Sequence, residues 1–150
     1  MRLLVPCGLF IFYFVLITGS QYFTGAANSS FGLYPDEPAH FGASVLVHDY
    51  LISGFHQSPL RFAVDYYASY PFFAIGYWPP AFYAIGGFWM LIFGVGHQSA
   101  FALTAVVGAL IAVTIFGVAR KWSGDWGAAL WGLVFVLVPG AVESCSMFMV

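Results

Sequence analysis

Two adjacent carboxylates, Asp36 and Glu37, with His40 close behind, are the side chains whose types and spacing could do chemistry. They stand in the stretch Tyr34-Pro35-Asp36-Glu37-Pro38-Ala39-His40-Phe41-Gly42, shortly after a first apolar segment. Ionisable groups near a bilayer are costly and tend to mark functional sites. A carboxylate held there can take a proton from an attacking hydroxyl. The plainer reading makes Asp36 the side-chain cap of a helix over residues 39–53, with Pro38 in the tolerant first turn. Asp36 and His40 are four apart and share a helical face, so the pair admits either a structural hydrogen bond or a divalent cation.

The elements that must position these groups belong to a very apolar chain. Of its 150 residues, 61% are hydrophobic and 7% charged, where a soluble domain carries about 25% charged residues. Mean hydropathy is +0.88. This is the composition of an all-α integral membrane protein. A net charge of −2 with no basic patch argues against nucleic acid as a partner. Cys7 and Cys145 lie in apolar segments without metal-ligand spacing and read as small buried hydrophobes.

Residues 3–18 form the first apolar segment. Arg2 before it and Gly19-Ser20 after it also fit a signal peptide, but the later apolar segments favour a first span with its N-terminus inside. The stretch from Gln21 to Pro79 then concentrates the polar chemistry: four of the six carboxylates (Asp36, Glu37, Asp49 and Asp65), three of the four histidines, and Arg61. Gly54 is placed to end the helix over 39–53. A second helix over 80–93 is bracketed by Pro79-Pro80 and Gly94. At about 1.5 Å per residue it is too short for a hydrocarbon core of about 30 Å, so it should lie on the surface.

Residues 99–119 are long enough to span and end at Arg120-Lys121, the basic pair of the chain. A further span is expected over 126–147, interrupted at Pro139-Gly140 and containing Glu143. If 80–93 lies on the surface, Arg2 and Arg120-Lys121 fall on one side, as the positive-inside rule requires. The expected architecture is therefore one membrane module. Its spans are 3–18, 99–119 and 126–147, and its outer loop 19–98 carries two extracytoplasmic juxtamembrane helices.

In this order and spacing the chain resembles the N-terminal part of the C-type membrane glycosyltransferases, the group of protein O-mannosyltransferases and lipid A aminoarabinose transferases. The resemblance rests on Pro35-Asp36-Glu37 with His40-Phe41-Gly42, and on Trp78-Pro79-Pro80-Ala81-Phe82-Tyr83 introducing the second surface helix. It implies transfer of a sugar from a polyprenyl-phosphate donor to a hydroxyl of a lipid, glycan or protein acceptor at the outer face of the bacterial inner membrane. Asp36 would be the catalytic base and Glu37 its support. His40, Trp78, Pro80 and Tyr83 would shape the donor site. Members often carry a basic residue or histidine where Trp78 stands; Arg61, or a residue beyond position 150, would then serve the donor phosphate. A divalent cation is compatible with this scheme but not required by it. The resemblance also implies that a second acidic residue follows within one or two positions of Val150, and that residues 1–150 alone are inactive.

The competing class is a non-enzymatic polytopic membrane protein, such as a transporter fragment or an assembly subunit. Transporters place polar groups at mid-membrane in broken helices. Here the polar residues collect outside the spans, with Glu143 the exception.

Overall fold

The computed structural model describes residues 4–29, 31, 34–71 and 80–148. These are helical, with no strand among the described residues: α1 (Leu4–Phe23), α2 (Glu37–Ser53), α3 (Pro59–Ser69), α4 (Pro80–Phe93), α5 (His97–Leu137) and α6 (Pro139–Cys145). The chain divides into two compact units, one of residues 1–29 and 101–147, the other of residues 30–100 and 148–150.

In the first unit, α1 and α5 are long and apolar enough to cross a membrane, with mean hydropathies of 1.7 and 2.4. α1 runs five residues past the expected end at 18. The reason is Gln21, only 2% exposed. Its Nε2 has two hydrogens to share among three acceptors within reach, the Phe101 carbonyl (3.0 Å), Thr104 Oγ1 (3.1 Å) and the Cys145 carbonyl (2.7 Å), so α1, α5 and α6 share one polar node.

α5 has 41 residues, about 60 Å of helix, or twice the thickness of a hydrocarbon core. It is not one rod. Gly124 has φ 66° and ψ −179°, a backbone region open essentially to glycine alone. There the helix reverses: a Cβ added at Gly132 would lie 3.0 Å from the Ala112 carbonyl, a residue twenty positions earlier. The Arg120 side chain bonds both carboxylate oxygens of Asp125 across this turn. Ala105, Ala109 and Ala112 present small side chains to the seam, where Tyr13, Ile17 and Val136 close the core. A Cβ at Gly108 would fall 2.7 Å from Cys145 Sγ and 2.8 Å from Ile17 Cδ1, so the missing side chain admits both neighbours. Such close approach of small residues is how apolar helices pack where the surroundings give no hydrophobic drive. The interruption expected at Pro139 is present: Val138 is extended (φ −63°, ψ 130°) and Pro139 opens α6.

In the second unit α4 spans the residues the sequence predicts, with Pro80 at its first position and Gly94 (φ 85°) returning its N–H to the Met90 carbonyl at 2.9 Å. α2 starts at Glu37, two residues before the expected position, and ends at Ser53, just before Gly54. α3 is an element that the sequence reading left inside the loop. Ser58 caps it through its side chain and Pro59 occupies its first turn, the ordinary helix-start signal.

Replacing Gly124 with alanine should cost about 1–3 kcal/mol, because alanine must be held in that backbone region. Gly117 has no atom within 4 Å of an added Cβ, so Gly117→Ala should be neutral or stabilising. Thermal melting of both variants in detergent checks this; equal melting temperatures would contradict the strained turn.

Candidate functional site

The acidic stretch lies at the start of α2, and the two carboxylates have opposite surroundings. Asp36 precedes the first helical residue, and its carbonyl accepts from the His40 N–H at 3.0 Å, as at an N-cap. Its side chain is exposed and makes no hydrogen bond or ion pair among the described residues, so the expected side-chain cap is not formed. Glu37 is 1% exposed, and its Oε1 accepts from the backbone N–H of Phe148 at 2.9 Å. A buried carboxylate needs such a donor, since an uncompensated charge away from water is strongly disfavoured.

His40 is one helical turn beyond Asp36 and 1% exposed. Its Nδ1 shares a 2.8 Å hydrogen bond with the Tyr83 hydroxyl of α4. Burial pushes the imidazole below its usual pKa, and the Asp36 charge pulls weakly the other way. Burial also raises the Tyr83 phenol. Among the described residues no three metal-ligating side chains gather, so Asp36 and His40 form at most two positions of a cation site.

Close helix packing sets this geometry. A Cβ at Gly86 would lie 2.5 Å from Ser44 Oγ, and one at Gly87 would lie 2.7 Å from Val47 Cγ1 and 3.0 Å from the His48 backbone nitrogen. Two adjacent glycines on α4 thus let α2 approach until His40 meets Tyr83. Below them Phe148, fully buried, packs at 5.1 Å from Phe82 and 6.1 Å from Phe41. Ser44, Gly86, Gly87 and Phe148 were not singled out from sequence. The Gly86-Gly87 pair, flanked by Tyr83 and Met90 at helical spacing, is the signal that could have found them.

A second polar cluster ties α3 to α2. Asp49 accepts from Tyr66 Oη at 3.0 Å through one oxygen and holds His48 Nδ1 at 2.9 Å through the other. Burial, followed by the Asp49 bond and charge, drives the Tyr66 phenol strongly upward. Arg61 is exposed on the first turn of α3 and makes no side-chain hydrogen bond or ion pair among the described residues, so it is not joined to Asp36 or His40. Pro80 is exposed at the start of α4. Trp78 lies outside the described residues. The structure therefore joins His40 to Tyr83 and sets Asp36 and Glu37 beside them. No protein-family model matches the chain, and no curated protein or solved structure matches it at a significant level.

Because native His40 resists protonation while the unfolded side chain takes a proton near pH 6.5, the unfolded state binds more protons on acidification. The stability contributed by neutral His40 is complete above about pH 6.5 and is lost as the pH falls below it. The melting temperature should thus fall between about pH 7.5 and pH 5.5, less steeply in His40→Gln. An unchanged slope in that variant would contradict the burial of His40. Glu37→Gln keeps an acceptor for Phe148 and should cost about 1 kcal/mol, whereas Glu37→Ala orphans a buried N–H and should cost about 1–3 kcal/mol. Denaturant titration of the pair checks that order.

Proposed function

We propose that this chain is part of an inverting membrane glycosyltransferase that uses a polyprenyl-phosphate-linked sugar, with Asp36 as general base. The observation that carries the reading is the contrast within the acidic pair. Glu37 is buried and committed to a backbone N–H, while the Asp36 carboxylate next to it is exposed and unbonded at the helix start. A base must reach the acceptor hydroxyl, and Asp36 has that freedom. Glu37 and the His40–Tyr83 pair hold the end of α2 from which it projects. As the hydroxyl oxygen attacks the anomeric carbon, its proton passes to Asp36 and the polyprenyl phosphate departs. Arg61, exposed and without an ion pair among the described residues, would meet the donor phosphate.

Three membrane spans accompany this reading: α1 and the two limbs of α5 on either side of Gly124. Support comes from the turn itself, where Arg120 and Lys121 are joined by the exposed indoles of Trp122 and Trp126, the composition of a membrane interface. α2, α3 and α4 would then lie outside the cytoplasm at the bacterial inner membrane. The non-enzymatic alternative draws on the Gln21–Thr104 node among apolar helices, but its donors are satisfied by backbone carbonyls, leaving none to offer a cargo.

Asp36→Asn in the full-length protein should keep the helix start, since asparagine also occupies N-caps well, and lose about 10²–10⁴-fold in transfer rate. Glu37→Gln should lose less. Near-normal transfer by Asp36→Asn would refute the base assignment. For topology, single cysteines at positions 36 and 122 in a Cys7→Ala, Cys145→Ala background should label from outside and inside respectively with an impermeant maleimide. Labelling of position 122 from outside would remove the three-span arrangement.

A further inference from the structure

The break between α5 and α6, within the first unit, leaves polar groups without a protein partner among the described residues. Val138 is extended and Pro139 carries no N–H, so the helical ladder stops there. The Val138 N–H turns back to the Val134 and Phe135 carbonyls, and the Ala141 and Val142 N–H groups go to the Val138 carbonyl. None of these bonds reaches the carbonyl of Val136, a residue only 5% exposed. Ser146, just past the end of α6, is 7% exposed, and its hydroxyl oxygen is buried with no hydrogen-bond partner among the described residues. Thr24, Ser53 and Ser123 turn their hydroxyls onto a carbonyl four residues earlier; Ser146 does not. Val136 and Ser146 both line a small cavity of about 10 Å³, together with Ser20 of α1 and with Ile17, Phe135 and Val142.

We infer that this cavity binds one structural water, which joins the Ser146 hydroxyl to the Ser20 hydroxyl of α1 and to the Val136 carbonyl at the end of α5. Size selects the occupant: the space is about that of a single water-sized sphere, too small for an acyl chain, a headgroup or the side chain of another molecule. Polarity selects it as well. A cavity lined by hydrocarbon alone stays dry, whereas a bound water needs two to four polar partners. Two hydroxyls and a carbonyl supply them here. The water accepts from the Ser146 O–H and donates its own hydrogens to the Val136 carbonyl and the Ser20 oxygen. Breaks in helices among apolar neighbours are closed in this way, because the freed backbone groups find no bulk water. The link has a counterpart one residue away on each helix, where Gln21 Nε2 lies 2.7 Å from the Cys145 carbonyl. α1 is thereby tied twice to the end of α6, once directly and once through water. The site is independent of the sugar-transfer reading, since none of its residues belongs to the acidic end of α2.

A crystallographic map of the full chain, at a resolution that shows ordered water, tests this directly. One water should lie within about 3.2 Å of Ser146 Oγ and within the same distance of Ser20 Oγ or the Val136 carbonyl oxygen. No density at that place, a water that touches Ser146 alone, or a Ser146 hydroxyl turned onto the Val142 carbonyl would overturn the inference. Thermal melting of the full chain in detergent gives a second reading. Ser20→Ala and Ser146→Ala each remove one arm of the same bridge. Each should lower the melting temperature by about 2–4 °C, the shift that one ordinary hydrogen bond produces in a chain of this size. The double variant should melt about where the lower single variant does, because the bridge is already lost. The Ser146 hydroxyl bonds no other side chain directly, so dry packing gives additive losses. Additive losses, or no loss in any of the three variants, would contradict the bridge. If a variant fails to fold, the map of the unaltered protein decides alone.

Discussion

The close approach of α2 and α4 is the constraint on which the second unit depends. Two consecutive glycines, Gly86 and Gly87, allow the approach, since a Cβ at either would come within 3 Å of Ser44 or Val47. Contact of this kind comes from backbone proximity and from polar links across it. One such link is the His40–Tyr83 hydrogen bond, buried on both sides. Glu37 adds a second by accepting from Phe148, whose ring completes the aromatic floor with Phe41 and Phe82. Asp36, one residue from Glu37, inherits a fixed backbone while its side chain remains in solvent.

The first unit solves a similar problem with different residues. Its helices meet along Ala105, Gly108, Ala109 and Ala112, with two polar links among them: Tyr13 Oη donates to the Ala129 carbonyl at 2.8 Å, and the two hydrogens of Gln21 Nε2 are shared among three nearby acceptors. The outward side chains are apolar instead, including Ile11, Val15, Leu110, Val118, Leu130 and Val134. An apolar exterior of this extent around a partly polar interior exceeds what a water-soluble monomer normally exposes.

Much of the secondary structure was legible because strong local signals coincide. Pro80 and Gly94 bracket α4, Pro139 interrupts the chain after α5, and Gly54 follows α2. Other features were not legible, for physical reasons. α3 carries Tyr, Asp and Ser among its apolar residues, and in a very apolar chain such a segment looks like loop; its packing on α2 through Phe62 and Tyr66 is a tertiary fact. The length of α1 depends on a glutamine that is affordable in an apolar setting only because its acceptors come from 80 and more residues away. The candidate site was half legible. Asp36 and Glu37 stand out by type, but their division into an exposed and a buried acid follows from where Phe148 returns, and nothing local to residues 34–42 encodes that.

The central claim is that the exposed end of α2, held against α4, faces a lipid-linked sugar. The most direct measurement is photocrosslinking of the membrane-reconstituted protein with a polyprenyl-phosphate sugar carrying a diazirine on the sugar ring, followed by peptide mapping. The account predicts label in the stretch Tyr34–Gly42 and near Tyr83, competed by unlabelled donor and unaffected by free sugar. Label confined to the α5 hairpin, or label at residues 34–42 that unlabelled donor fails to displace, would contradict it.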